Sequence, residues 1–238
     1  MLSWLLSGMK HFLAITTVAA LPLLAADRFK QTIDVTQTDR FTVSAAGTIR
    51  LENSFGEVDI EGWDRPEVEV EMLRSTEKFY DPGDEADAQR RLASVQITTK
   101  QDGNDVVIST AYPPRGFFRH PFSRRSDIEI RYRVHAPRAS KLIVNDNRGG
   151  VNVYDIAGDI HATVINGQVT LTLASTGQHA IDAQTKLGAV DSEFEGHDRH
   201  HLLGEDFSLQ AKPPAANLYL RVRVGDIVIL KLNGPPAE

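Results

Sequence analysis

The chain has 238 residues, of which 41% are hydrophobic and 24% are charged, and its formal net charge is −6. This composition is that of a globular protein with enough apolar residues for a sizeable core, so we expect a folded chain and not a disordered one. Acidic and basic residues are interleaved, so the sequence offers no basic stripe and we expect no nucleic-acid partner. Because there is no cysteine, disulfides, thiolate metal sites and cysteine nucleophiles are excluded as well.

The first element in chain order is an apolar segment near the N-terminus. Lys10 and His11 precede the apolar run 12–24, which ends in small residues. This run is shorter than the roughly 20 residues of a membrane span, and it predicts a secretory signal over residues 1–26. An uncleaved N-terminal anchor and translation from Met9 are the alternatives.

The segment 48–73 and the segment 127–137 predict strands. Apolar and polar residues alternate over both, with breaks expected at Asn53-Ser54 and at 63–66. Alternation with period two is typical of a strand with one buried face. We therefore expect three strands in the first segment and one in the second.

Between these segments the sequence predicts a helix and then a hairpin. Residues 84–94 have acids first and arginines later, the order that a helix dipole favours, and they predict the one helix of the chain. Two alternating runs within 95–113 meet at Asp102-Gly103-Asn104, which predicts a hairpin.

A short pattern recurs through the chain: a glycine followed two residues later by valine or isoleucine. Three copies follow one another at intervals of nine residues, at Gly149, Gly158 and Gly167. Further copies begin at Gly56 and Gly225, and a degraded copy begins at Gly188. Glycine permits positive φ at a turn, so each copy predicts a short strand that starts at a turn.

A nine-residue unit is too short for a parallel crossover between adjacent strands, which takes a dozen residues or more. Successive units therefore either run antiparallel as a meander or sandwich, or they form opposite walls of a coil in which each unit stacks in parallel on the unit two places ahead. The repeated small turn residues and the aliphatic inward positions favour the coil. The expected fold is an all-β, single-domain β-solenoid with one short helix over residues 27–238.

The order of these motifs resembles the bacterial family of putative adhesins that is catalogued as a domain of unknown function. The resemblance covers residues 29–232 and depends most on Gly56 to Trp63 followed by Asp64, and on His135-Ala136-Pro137 leading to Leu142. It implies a β-solenoid on the envelope or outside the cell, and it implies no catalytic residues. The degraded copy at Gly188 departs from the family pattern.

The segment 116–125 interrupts two strands with three phenylalanines and three arginines. Aromatic rings beside guanidinium groups are typical of contact surfaces. An end cap that protects an exposed strand edge is the alternative. The residues predicted to bind a partner are Phe117, Phe118, Arg119, Phe122, Arg124 and Arg125.

The segment 193–206 concentrates histidines and carboxylates, including His197 and His201 at the four-residue spacing of two metal ligands on one helical face. No HExxH motif is present and glycines bracket the segment, so we expect a solvated loop and predict no metal or cofactor.

The function predicted from the sequence is that of a non-catalytic exported module of the envelope or cell surface, adhesin-like, whose partner is an unspecified protein or glycan. One alternative is a polysaccharide-processing enzyme that uses outward charged residues. Its candidate residues are Arg131, Arg133, Asp155, His161 and Asp191. The other alternative is an accessory protein of envelope stress signalling.

Overall fold

The computed structural model of the protein describes residues 31–44, 46–78, 84–112, 128–176, 178–213 and 216–232. Within these ranges the chain forms fifteen strands, joined in one sheet, and one short helix. The predicted all-β class with one helix is therefore confirmed. The predicted signal at 1–26 and the aromatic segment 116–125 lie outside the described residues.

The helix α1 is Asp84–Ser94. The strands are β1 (Gln31–Thr42), β2 (Thr48–Phe55), β3 (Glu57–Trp63), β4 (Glu67–Lys78), β5 (Gln96–Asp102), β6 (Asp105–Ala111), β7 (Ile128–Pro137), β8 (Lys141–Tyr154), β9 (Ile160–Ala174), β10 (His179–Thr185), β11 (Val190–Ser192), β12 (His197–His200), β13 (Glu205–Leu209), β14 (Ala216–Val224) and β15 (Ile227–Leu232). In the ranges that the structure describes, no helix has the length and apolar character needed to cross a bilayer.

Six levels of parallel strands form the centre of the sheet. Each level has one segment in a leading wall and a second segment, later in the chain, in a trailing wall. In spatial order the levels are β6 and β7, β2 and β3, the two halves of β8, the two halves of β9, β14 and β15, and β10 and β11.

The pairing of β8 with β9 shows how the repeat is used. The two strands are parallel, and every residue of β8 that pairs with β9 does so with the residue eighteen positions later, as Gly149 does with Gly167. A unit thus stacks on the unit two places ahead, which is the register expected of the coil arrangement. Successive units within this pair of strands do not form a meander.

Five glycines stack at the bend between the two walls, one on each of five successive levels. We call them the column glycines: Gly56, Gly149, Gly167, Gly225 and Gly188, in spatial order. A Cβ atom built on any of the last four would lie 1.6 to 2.1 Å from the carbonyl oxygen of the column glycine before it. Glycine is therefore required at each of these positions, because the backbones of successive levels approach too closely for a side chain.

Three details differ from the sequence-based expectation. β2 runs through Asn53-Ser54 with an irregular register and ends at Phe55, so the break falls at Gly56. Gly158 is not a column glycine, because it lies at the opposite end of its level against the carbonyl oxygen of Ser140. The level that contains Gly188 is outermost, because β14 and β15 insert between it and β9.

Antiparallel strands extend the sheet at both ends. β4 and then β1 continue the trailing wall from β7, and β5 continues the leading wall from β6 through the predicted hairpin. The edge strands β1 and β5 are joined by side chains: Thr99 donates to Asp39 at 2.5 Å, and Gln101 donates to the carbonyl oxygen of Thr42 at 2.7 Å. At the far end β13 and β12 continue the leading wall from β10.

Helix α1 lies over β4 and β1 and is attached to β4 at its C-terminal end. Ala88 and Leu92, four residues apart on one helical face, are buried. Arg74 of β4 donates to the carbonyl oxygens of Leu92 at 3.5 Å and Val95 at 3.0 Å. Arg91 lies in the last turn, where the helix dipole favours a cation.

Buried residues from both walls form one hydrophobic cluster. Alternate residues of both walls, such as Val58 and Ile60 of β3 and Leu142 and Val144 of β8, are buried in it. Since the inward positions are almost all apolar, the polar positions of the same strands face outward. The outward faces of the walls are thus the surfaces available for function.

Candidate binding surface

The candidate site is the outward face of the trailing wall where β4, β7 and β3 lie side by side. β7 contributes a row of basic residues, and the strands on both sides of it contribute rows of acids. We call this surface the charged face: Glu69 and Glu71 of β4, Arg131, Arg133 and His135 of β7, and Glu57, Asp59 and Glu61 of β3.

Two arginines of the charged face pair with acids on opposite sides of β7. Arg133 lies 3.6 Å from Glu71 of β4, and Arg131 donates to Glu57 of β3 at 3.2 Å. The side chains of Arg131 and Arg133 are 41% and 52% exposed. Because a guanidinium group has five N–H donors, both groups keep donors directed at solvent that can bind carboxylate, phosphate or hydroxyl oxygens.

His135 continues the basic row at the end of β7. Its ring lies 3.5 Å from Glu61 and 3.8 Å from Glu69. Trp63 stacks on the same ring with a centroid separation of 5.1 Å, and Arg65 lies over the indole at 4.8 Å. An aromatic and cationic group thus borders the charged face at the turn between β3 and β4.

The ion pairs of the charged face are not what holds the strands together. The inward residues of the same strands, among them Tyr132, Val134 and Val70, are buried in the hydrophobic cluster. Exposed ion pairs contribute only about 0 to 1 kcal/mol each. The charged groups can therefore exchange their present partners for those of a ligand at little cost in stability.

The charged face continues into a row of uncharged polar groups. Asn152 of β8 donates to Asp59 at 2.9 Å and pairs in register with Thr170 of β9. Thr172 follows on the same outward side, next to Tyr154, whose side chain is 45% exposed. Carboxylate, guanidinium, amide, hydroxyl and phenol groups thus follow one another across five adjacent strands.

A shallow depression of about 260 Å³ lies beside Arg131, on the side of β7 that faces β4 and β1. It is lined by Asp34 of β1, Leu73 and Ser75 of β4, and Glu129 and Arg131 of β7, together with Thr32. Arg131 belongs to both the depression and the charged face. The depression can take a polar group of a ligand that lies along the trailing wall.

The leading wall carries a separate polar and aromatic cluster. His161 of β9 lies 4.5 Å from the ring of Tyr219 of β14, and the guanidinium of Arg221 lies 3.6 Å above the same ring. Arg221 also pairs with Asp182 of β10 at 2.8 Å. Tyr219 and Arg221 were not predicted from the sequence as candidate binding residues. Their neighbours lie on other strands, and the order of the levels in the sheet decides which strands become adjacent. The alternation of apolar and polar residues in β14 was the one sequence signal that could have identified them as outward residues.

Arg138 links the turn after β7 to two neighbouring turns. It pairs with Asp155 at 2.7 Å and with Asp64, and these two carboxylates raise the pKa of its guanidinium. The two sequence pieces that carry the family resemblance therefore meet here, because β3 and β7 pair along their whole shared length and Asp64 binds Arg138. The role of Arg138 is to hold this corner together.

The structure does not bring the candidate catalytic residues together. Arg131 and Arg133 are adjacent on β7, but Asp155 is bound to Arg138 at a corner. His161 lies on the leading wall and Asp191 lies in β11, five levels from β7. The six residues predicted to bind a partner, Phe117, Phe118, Arg119, Phe122, Arg124 and Arg125, lie outside the described residues.

The histidine-rich segment is a β-hairpin, where a solvated loop was expected. Its strand β12 is exposed along its whole length. His200 lies 2.8 Å from Glu205 and His201 lies 2.8 Å from Asp206. The hydrogen bond from His201 holds the pKa of Asp206 below its ordinary value. In the part of the chain that the structure describes, no three histidine or carboxylate side chains form a group that could hold a metal ion.

Comparison with solved structures identifies similarity to bacterial proteins. A putative cell adhesion protein from Clostridium sporogenes is 10% identical over 85% of this chain and 100% of its own, with a TM-score of 0.51. A putative adhesin from Bacteroides fragilis is 11% identical over 82% of this chain and 97% of its own, with a TM-score of 0.34. At these identities the first similarity indicates a common fold and nothing more, and the second is too low to indicate even that. No protein-family model and no curated protein matches the sequence.

Proposed function

We propose that this protein is an exported, non-catalytic binding module of the bacterial envelope or cell surface, adhesin-like, and that the charged face is its main contact surface. The observation that carries the proposal is the row of half-exposed basic groups held between two rows of acids on an outward sheet face. Groups in register along a rigid wall give many weak contacts at once, which suits adhesion.

The other parts of the proposal rest on sequence and on similarity. The apolar run 12–24 supports export. The name of the similar structure from Clostridium sporogenes, a putative cell adhesion protein, favours a surface module. The parallel levels with their column glycines support a β-solenoid as the arrangement of the walls. The aromatic segment 116–125 is proposed as an additional contact.

The test compares two double variants of the full chain that change the net charge equally. Arg131→Gln with Arg133→Gln removes two charges from the trailing wall. The control, Arg50→Gln with Lys141→Gln, removes two charges from the leading wall, where the Arg50 side chain is 39% exposed, close to the 41% of Arg131. Binding of each labelled chain to immobilised envelope fragments of the producing organism is measured, together with the melting temperature.

We expect the trailing-wall variant to bind at least about tenfold more weakly, since two contacts of about 1 kcal/mol each are lost, and the control to bind as the unchanged chain does. Equal weakening in both variants would show that bulk charge drives binding, and no weakening in either would show that the charged face is not the contact surface. Either result contradicts the proposal.

A further inference from the structure

A ridge of exposed apolar side chains follows the bend between the walls. Seven large apolar side chains are exposed among the described residues, and five of them lie along this bend. We call these five the apolar ridge: Ile165, Val224, Leu187, Leu203 and Leu202. Scattered single exposed apolar residues are normal on a protein surface, but a contiguous line of them marks a contact site.

The column glycines determine the position of the ridge. Ile165 precedes Gly167 by two residues, and Val224 and Leu187 directly precede Gly225 and Gly188. Because these glycines stack on successive levels, Val224 and Leu187 lie on neighbouring strands about 4.8 Å apart, and Ile165 lies one residue before Asn166, the partner of Val224.

The turn between β12 and β13 adds the last and most exposed part of the ridge. The amide of Gly188 donates to the carbonyl oxygen of Leu203 at 3.2 Å, which places this turn directly beyond the last column glycine. Leu202 is 97% exposed and Leu203 is 65% exposed. Two adjacent leucines at the tip of a hairpin contribute nothing to the core, so only contact with another surface can bury them.

Basic residues accompany the ridge. Arg148, Arg223 and Lys186 occupy the positions one or two residues before their column glycines, and all three are exposed. None of the three makes an ion pair with another described residue, in contrast to the paired arginines of the charged face. The nearby carboxylate of Asp226 accepts the amide of Ala189 at 2.9 Å.

We propose that the apolar ridge is a docking surface for an anionic lipid membrane, into which the Leu202-Leu203 tip inserts. Apolar side chains that enter the boundary between headgroups and acyl chains, with unpaired Lys and Arg that reach lipid phosphates, are the two elements of peripheral membrane binding. In a two-fold contact of ridge against ridge, the basic residues of the two copies would face each other, so the charge of the ridge favours an anionic lipid surface over a second copy. This surface is distinct from the charged face, which stays free for a partner.

The absence of cysteine in the chain permits a direct test of insertion. The full chain carries a single introduced cysteine, Leu202→Cys or, as the control on the trailing wall, Tyr154→Cys, labelled with an environment-sensitive fluorophore. Each is mixed with vesicles of phosphatidylcholine alone or of equal parts phosphatidylcholine and phosphatidylglycerol. We expect a blue shift, and quenching by lipids brominated in their acyl chains, only at position 202 and only with the anionic vesicles.

The same assay separates the other possible occupants. If the N-terminal apolar run alone brings the chain to vesicles, the label at 202 stays in water and the proposal is overturned. A shift at 202 that grows with protein concentration without vesicles would identify a second copy as the occupant, and equal shifts at 202 and 154 would show non-specific adsorption. Both of these outcomes also overturn it.

Substitutions measure what each part of the ridge contributes. Leu202→Ser with Leu203→Ser should lower the partition coefficient onto anionic vesicles about tenfold or more, from the apolar area that no longer enters the membrane. Arg223→Gln and Lys186→Gln should each lower it about fivefold, an effect that added salt removes. Tyr154→Ser is the control and should leave it unchanged. Partition of the double serine variant equal to that of the unchanged chain, with equal melting temperatures, would overturn the proposal.

Discussion

A Cβ atom placed on Gly167 would lie 1.7 Å from the carbonyl oxygen of Gly149, one level away in the sheet. Both glycines have positive φ, 155° and 149°. The two backbones thus approach more closely at the bend than any residue with a side chain allows, and each strand can turn from one wall to the other directly above its neighbour.

Gly149→Ala should destabilise the protein strongly, because the new methyl group would lie 1.6 Å from the carbonyl oxygen of Gly56 and the residue would keep a φ that side chains disfavour. We expect the free energy of unfolding to fall by about 2 to 4 kcal/mol. Urea denaturation measures the change as a lower midpoint at constant slope.

The adjacent glycine provides the control. A Cβ atom on Gly150 would meet no atom within 4 Å, so Gly150→Ala should change the free energy of unfolding by no more than about 0.5 kcal/mol. Equal effects of the two substitutions would show that stacking of the column glycines is not what stabilises the bend.

Much of the fold was predictable because local sequence patterns determine it. Alternation identified the strands β3, β7 and β9, the order of charges identified α1, and the nine-residue spacing indicated the parallel register of Gly149 on Gly167. Each of these follows from the period of an element or from the length of a connection.

The remaining features depend on which strands become neighbours in the sheet, and no local sequence pattern predicts the order of the strands. β14 and β15 come last in the chain yet insert between β9 and the level of β10 and β11. The charged face, the Tyr219 cluster and the apolar ridge all combine residues from separate levels. Their members could be recognised as outward residues from the sequence, but their neighbours could not.

Tyr132 should titrate only at very alkaline pH. Its ring is buried, burial raises the pKa of its hydroxyl to about 12, and the hydroxyl shares a hydrogen bond with Thr110. Between the ordinary tyrosine pKa of about 10 and this value, the unfolded chain releases the proton and the folded chain keeps it. The free energy of unfolding should therefore fall as pH rises from about 10 to 12, by about 2 to 3 kcal/mol in total.

Ultraviolet titration of the folded protein should show a late ionisation step near pH 12, and Tyr132→Phe should remove that late step. Denaturation measured across the same pH interval should show a shallower loss of stability in the variant. A late step that persists in Tyr132→Phe would assign it to another tyrosine.

The pairing of His201 with Asp206 should be measurable at low pH. The hydrogen bond from His201 lowers the pKa of Asp206, so the pair stabilises the fold above the ordinary aspartate pKa and this contribution is lost as pH falls through the lowered value. The pair is partly exposed, which limits the contribution to less than about 1 kcal/mol.

Carboxyl resonances in NMR report this pKa directly. His201→Ala should raise the pKa of Asp206 towards its ordinary value, whereas His197→Ala, on the same hairpin and opposite Ser208, should leave it unchanged. An unchanged pKa in His201→Ala would show that the pair does not persist in solution.

Replacement of residues 116–125 by glycine and serine tests the aromatic segment. Phe117, Phe118 and Phe122 with the three arginines offer rings that bury well and guanidinium groups that pair with carboxylate or phosphate. We expect the unchanged chain to retain a partner from envelope extract and the replaced chain to lose it, with the same melting temperature in both. If the replaced chain melts lower or aggregates, and neither chain retains a partner, the phenylalanines are an end cap. Recognition would then rest on the outward walls alone, because a cap protects a strand edge and contacts no ligand.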